Sequence, residues 1–352
     1  MSRWAFAAVL VLMSSTGCKK PPPKTATTYS ALTDPRDAVR GLLEAAYDAL
    51  EAHDTDKFNL LLAPDAMVYG LGPSETFNFR EPALEAIRQA WADGRPDVSI
   101  TEGRMPVGLA VGGQSAWLWD FPRVEMGAGV YLPRVTAHAI RDHGAWRFDA
   151  IHLSLGVTDE KLYAPDAQKK FIAPADVVSE HNGDSDVLIE QTKHLLEDLA
   201  FKVTRTGDGA DVVLLGTDPS EVFEGGQSFK AMVKPRLAEI KKAVFEYRVE
   251  SPFRARVAPD GRTGWVAANV SLRIGSGKKA VTLPVFRTLW VYEKEAGEWN
   301  MVLEHQSLAV SDEQREEATA DQLKARDVRE QKKVPLAPKV REASDGGFGT
   351  FE

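Results

Sequence analysis

His152-Leu153-Ser154-Leu155-Gly156-Val157-Thr158-Asp159-Glu160 returns 153 residues later as His305-Gln306-Ser307-Leu308-Ala309-Val310-Ser311-Asp312-Glu313. The same spacing carries Gly144 and Trp146 onto Gly297 and Trp299, and Arg134 onto Arg287. An ungapped repeat from Arg134–Glu160 to Arg287–Glu313 is an internal duplication, so the chain reads as two similar units. Alternate positions of a strand share a face. One row therefore reads Trp146, Phe148, Ala150, His152, Ser154, and its copy reads Trp299, Met301, Leu303, His305, Ser307. Each apolar row ends in a His-x-Ser pair, which predicts a polar pair at the end of a core-facing strand, where a pocket would open. The opposite rows, Arg147, Asp149, Ile151 and Asn300, Val302, Glu304, Gln306, are more mixed.

Two further blocks repeat in the same order. Gly70-Leu71-Gly72-Pro73-Ser74-Glu75-Thr76-Phe77 matches Gly216-Thr217-Asp218-Pro219-Ser220-Glu221-Val222-Phe223, and Gly113 to Leu118 matches Gly261 to Val266. Between them lie helical patterns. Asp34 caps and Pro35 opens a helix with apolar residues at Val39, Leu42, Leu43, Ala46, Tyr47 and Leu50. Short helices follow at 56–62 and 81–91, then strands from 98 to 151. The second unit repeats this with one helix over 186–203 and another over 229–245, kinked at Pro235. Thr158 and Ser311 sit where each last strand would pass into a helix.

The length of 352 residues suits two domains of ordinary size. A net charge of −8, with no basic run interleaved with aromatics, argues against a nucleic-acid partner. At the N-terminus Arg3 precedes an apolar stretch from Trp4 to Met13, the length of a signal-peptide core. Ser14-Ser15-Thr16-Gly17-Cys18 follows and resembles the bacterial lipobox, in which the cysteine is acylated and becomes the new N-terminus. The resemblance implies a signal peptide over 1–17, a lipid (palmitate) anchor at Cys18 and a Pro/Thr-rich tether over 18–33. It also implies residence in the bacterial cell envelope. Lys19, in place of an inner-membrane aspartate, points to the outer membrane, facing the periplasm. Cys18 is the sole cysteine, so no disulfide forms within the chain.

Helices followed by long strands, with Gly-x-[Asp/Gly]-Pro-Ser-Glu-x-Phe and a final Gly-x-Trp strand ending His-x-Ser, resemble the SnoaL-like branch of the nuclear transport factor 2-like superfamily. The resemblance covers 34–157 and 184–310, separated by a linker over 158–183 and followed by a charged helix and tail over 311–352. It implies an α+β fold of two cones, each with about three helices packed in a strongly curved antiparallel sheet. Members range from isomerases, cyclases and dehydratases to catalytically silent binding modules, so the resemblance does not give a function. An acid/base aspartate matching the cyclases, or a tyrosine–acid pair matching the steroid isomerases, is not identifiable in both units.

Two readings stand for each candidate. His152 and His305 are pocket bases or ligand donors, as imidazole permits near neutrality, or buried groups bonded to a neighbouring strand. Ser154 and Ser307 go with them. Glu75 and Glu221 are pocket carboxylates or turn acids binding backbone amides. Arg134 and Arg287 clamp an anion or form surface salt bridges. Trp117 and Trp265 stack a ring-shaped ligand, with Trp119 beside Trp117, or pack the core. His138 and His143 are close in sequence, but no metal-binding pattern accompanies them, and no cofactor is expected. The leading expectation is a non-enzymatic module for a small ligand or an envelope protein. An acid/base enzyme using His152 or His305, and a structural adaptor in which the sheets pack together, are the alternatives.

Overall fold

The structure is a computed structural model describing residues 34–92, 97–127, 129–181, 183–240, 245–275 and 280–333. The expected signal peptide over 1–17, Cys18, the expected tether and residues 334–352 lie outside these. The first unit runs α1 (Pro35–Glu51), α2 (Thr55–Leu60), β1 (Leu62–Tyr69), β2 (Thr76–Phe77), α3 (Arg80–Ala92), β3 (Val98–Thr101), β4 (Val107–Leu109), β5 (Ser115–Asp120), β6 (Arg123–Met126), β7 (Gly129–Tyr131), β8 (Arg134–Asp142) and β9 (Ala145–Ser154). Two short helices, α4 (Asp159–Leu162) and α5 (Ala167–Lys170), occupy the linker. The second unit runs α6 (Asp186–Glu197), α7 (Leu199–Arg205), β10 (Val213–Leu215), β11 (Val222–Glu224), α8 (Gly226–Val233), α9 (Leu237–Ile240), β12 (Phe245–Val249), β13 (Arg254–Val257), β14 (Thr263–Ile274), β15 (Val281–Thr282), β16 (Phe286–Glu295) and β17 (Glu298–Ser307). A charged helix, α10 (Asp312–Lys333), follows.

The fold is α+β, with two units that are each a mixed sheet carrying helices. The sheets are ordered β2-β1-β9-β8-β5-β4 and β11-β10-β17-β16-β14-β12. They are not wholly antiparallel as the resemblance implied, because β1 runs parallel to β9 and β10 parallel to β17. A parallel pair needs a long crossover, and here most of each unit lies between its first and last strands.

Local signals account for the helices. The Asp34 carboxylate accepts from Arg36 N at 2.9 Å and starts α1, whose stripe from Val39 to Tyr47 is buried. The single helix expected over 186–203 is two. Asp198 leaves helical geometry and its side chain caps α7 through Ala200 N at 2.8 Å. The helix expected over 229–245 ends α8 at Val233. A 3₁₀ turn follows at Lys234–Arg236, where Pro235 cannot continue the α-helical hydrogen bonds. At α10 the Ser311 backbone N–H donates to Gln314 Oε1 at 3.0 Å, one half of a capping box.

One departure changes which side chains face the cone. The β8–β9 register slips between His138 and Ala139, leaving Asp149 as a bulge. The β16–β17 register slips between Val291 and Tyr292, leaving Val302 in the same role. A bulge resets the alternation of a strand. The row from Trp146 to Ser154 is therefore not one face: Phe148, Ile151 and Leu153 point into the first cone, while Ala150, His152 and Ser154 point away from it. Each sheet thus has a helix-covered face and a face laid against the other unit. One apolar cluster fills the first cone, and a second runs from Met67, Trp117 and Ala150 across the interface into the second unit.

Candidate functional site

The duplicated residues meet one another. His152 Nε2 lies 2.7 Å from Ser307 Oγ, and His305 Nε2 lies 2.6 Å from Ser154 Oγ. The two imidazoles stack with centroids 3.8 Å apart at 21°. Such reciprocity, residue i on j and j on i, is an isologous two-fold interface built inside one chain. Thr136 Oγ1 stands 2.8 Å from His305 Nδ1, so a neutral ring satisfies both its nitrogens. Leu289, the counterpart of Thr136, offers nothing to His152, whose Nδ1 has no hydrogen-bond partner. All four His and Ser side chains are sealed from solvent. Burial, then the nearby guanidinium groups, hold the His152 pKa well below the usual imidazole range. Burial, His152 and the same guanidiniums do so for His305.

The arginines and the Pro-Ser-Glu turns complete the interface. Arg134 Nη1 donates to Gly216 O at 2.7 Å, and Arg287 donates to Gly72 O and Leu71 O, each at 3.3 Å. Val157 N donates to Thr217 O at 2.8 Å, and Val310 N to Leu71 O at 2.9 Å. Each unit therefore reaches into the other's turn. Glu75 shapes the first turn by accepting from Leu71 N at 2.5 Å and Gly72 N at 2.9 Å. Glu221 accepts from Asp218 N at 3.2 Å, and a Cβ at Gly216 would meet its carboxylate at 2.0 Å, which explains the glycine there. Burial lowers the Arg287 pKa to about 10.

These positions correct several expectations. The His-x-Ser pairs stand at no pocket mouth, because the bulges turn them to the other sheet. Arg134 and Arg287 are neither surface residues nor an open anion clamp; they are fully buried and bond backbone carbonyls. Trp117 and Trp265 offer no stacking platform. Both are buried in the interface, with Trp117 Nε1 donating to Asp211 O at 2.9 Å and Trp265 Nε1 to Asp149 Oδ2 at 3.1 Å. Trp119 is buried beside them. His138 and His143 do not converge. His138 is buried between Asp149 Oδ1 at 2.6 Å and Thr263 Oγ1 at 2.7 Å, while His143 stands in an exposed hairpin turn. The Thr263–His138–Asp149 line imitates a hydrolytic triad, but no substrate reaches its sealed hydroxyl. Among the described residues no group of His, Cys, Asp or Glu is arranged to hold a metal ion.

Open volume lies on the other faces. The first cone encloses an apolar cavity of about 150 Å³, lined by Leu43, Phe58, Ile87, Ala137, Phe148 and Ile151 among others. Glu75 reaches its rim, and burial raises the carboxyl's pKa. Tyr47, also on the wall, donates to Asp120 Oδ2 at 3.0 Å. The second cone holds a recess of about 370 Å³. Glu304, Lys202, Gln306, Trp290 and Tyr247 lie on it. None of the five was a sequence candidate for ligand contact. The available signal was Glu304 standing where the first copy has Ile151, a charge at an otherwise apolar strand position.

The chain belongs to the SnoaL-like domain family, whose model matches residues 39–158 and again 200–311. Solved structures similar to it include an NTF2-like protein of unknown function from Pseudomonas putida KT2440. That likeness has 17% identity and a TM-score of 0.34, covering 37% of this chain and 92% of that one. A proposed dehydratase of the NTF2-like family from Streptomyces avermitilis is 15% identical with a TM-score of 0.31, covering 34% and 95%. A proposed ketosteroid isomerase from Shewanella frigidimarina NCIMB 400 is 16% identical with a TM-score of 0.29, covering 33% and 94%. No curated protein matches the chain.

Proposed function

We propose that the protein is a non-enzymatic module of the bacterial cell envelope that binds a small apolar ligand in its first cone. The observation carrying this reading is the cavity of about 150 Å³ walled by aliphatic and aromatic side chains. Apolar cavities of about this volume stay dry and take up benzene or xenon. Natural ligand sites are likewise concave and mostly apolar, with few polar groups. Against an enzyme built on His152 or His305 stands the sealing of both rings and their use of the opposite unit's serines.

The envelope part of the proposal rests on the apolar stretch before Thr16-Gly17-Cys18. Metabolic labelling with palmitate should mark the wild type and not Cys18→Ala; label persisting on the variant would remove the anchor from the proposal. For the cone, xenon-pressurised crystals or benzene titration followed by NMR should place the probe beside Ala137 and Ile151. Ala137→Leu, which fills the space, should abolish uptake. Uptake unchanged in that variant would show that the first cone is not the site.

A further inference from the structure

We propose that the second cone is a separate site for an uncharged molecule with an apolar body and one hydroxyl group. This rests on the reading that the cones of this protein bind ligands, and it assigns the second cone a different chemistry from the first. The two cones differ at matched positions. Ala137, Ile151 and Leu153 line the first, and Trp290, Glu304 and Gln306 stand at the same places in the second. Trp290 and Glu304 are direct partners across β16 and β17, so the replacements adjoin.

Glu304 organises this group. It is 4% exposed, and its Oε1 accepts from Lys202 Nζ at 2.8 Å, Trp290 Nε1 at 3.1 Å and Gln306 Nε2 at 2.9 Å. Its Oε2 takes Lys202 Nζ again at 2.6 Å. A carboxylate holding this many donors fixes its neighbours and is poorly placed to take a proton from substrate. It leaves Gln306 with its amide oxygen to offer, since the nitrogen is spent on Glu304. Tyr247 supplies a hydroxyl that no hydrogen bond engages among the described residues. Burial, with Glu304 and Glu221 nearby, keeps that phenol protonated and able to donate. Leu195, Leu199, Leu237, Phe245 and Leu272 supply the apolar walls.

Charge and pairing select the ligand class. Among the described residues the one lysine on the recess is spent on Glu304, and Glu197 and Asp198 stand at its edge, so an anion finds no free cation among them. Among the described residues the buried carboxylate is not free for a cation either, because the Glu304 oxygens are occupied, Asp198 caps α7, and Glu197 is exposed to solvent at the edge. A pure hydrocarbon would cover the Tyr247 hydroxyl and the Gln306 oxygen without pairing them, which disfavours it. An uncharged hydroxyl at the end of an apolar body satisfies both, accepting from Tyr247 and donating to the Gln306 oxygen, which a carbonyl oxygen could not do.

The test uses the full chain and three probes with one carbon body: naphthol, naphthalene and naphthoate. Calorimetry is read beside the Trp290 indole N–H resonance, which reports the second cone alone. Naphthol should shift that resonance saturably, with naphthalene and naphthoate binding there at least about tenfold more weakly. Tyr247→Phe and Gln306→Leu should each weaken naphthol by about three- to tenfold, the worth of one neutral hydrogen bond. Xenon uptake by the first cone should not change in either variant. If the first cone takes xenon while naphthol leaves Trp290 unmoved, the second site is overturned and the reading of the first cone stands. Equal binding of naphthol and naphthalene overturns the polar anchor. If neither cone takes its probe, both readings fall.

Discussion

The two faces of each sheet have aged differently since the duplication. On the interface face Arg134 and Arg287, His152 and His305, and Ser154 and Ser307 are the same in both copies. On the cone face Val135 faces a counterpart Thr288, Ala137 a Trp290, Ile151 a Glu304 and Leu153 a Gln306. The difference follows from symmetry. A two-fold interface bonds each residue to the copy of its partner, so both copies must keep both residues. A cone answers only to what it holds. Polar residues kept in both copies here mark where the units meet; divergence is not confined to the cones, since Thr136 against Leu289 and His138 against Val291 differ on the interface face as well.

The comparison breaks most sharply at the arginines. Arg287→Ala should remove a buried side chain and its hydrogen bonds to the Leu71 and Gly72 carbonyls, which among the described residues keep only Val310 N and Glu75 N as donors, costing about 2–5 kcal/mol in urea denaturation. Arg134→Ala should cost a similar amount. A loss under about 1 kcal/mol in both would mean that these contacts do not hold the units together.

His152→Ala and His305→Ala come next, at about 1–3 kcal/mol each. A double-mutant cycle between His152 and Ser307 should show coupling, and one between His152 and Ser154 should show less, because the first pair is bonded and the second is not. The reverse order would contradict the crossed arrangement.

The acid limb sharpens the contrast further. Both imidazoles stay neutral in the fold, with pKa values held well below their unfolded value of about 6.5. Below about pH 6.5 the unfolded chain therefore binds more protons than the native one. Stability should fall with falling pH, by up to about 1.4 kcal/mol per pH unit for each ring. Glu75, whose carboxyl is pushed up by burial, works in the opposite sense: its contribution is present at low pH and lost as pH rises through its folded pKa. The histidine part is thus the difference between wild type and a His152→Phe/His305→Phe variant across that range. Parallel stability curves for the two proteins would remove it.

The smallest effect belongs to the first cone. Ala137→Leu should change stability by about 1 kcal/mol or less while blocking benzene, because it fills existing space. A large destabilisation would mean the cavity is tighter than its walls suggest.

Much of this fold is readable from the chain. The repeat, the capped α1, the turn acids and the break at Pro235 each follow from residue chemistry within a few positions. The Arg134–Ser154 and Arg287–Ser307 pairings also agree with the ungapped alignment of the copies. The bulges at Asp149 and Val302 were not readable, since an extra residue in a strand leaves no mark that alternation can detect. They alone exchanged cone and interface faces in the sequence reading. Nor does a sequence show that an apolar strand face is covered by a second sheet instead of a helix, because both bury the same residue types. The break at Asp198 was masked by an apolar pattern that continues through it. Lys202 and Tyr247 come from separate elements and meet Glu304 only in the folded chain.

The imidazoles themselves give the most direct reading of the interface. Nitrogen-15 NMR of His152 and His305, followed from about pH 8 to about pH 5, should find both rings neutral throughout, with no inflection near 6.5 while the protein stays folded. Two rings that titrate near 6.5, as exposed imidazoles do, would show them open to solvent and would contradict a sealed lock between the units.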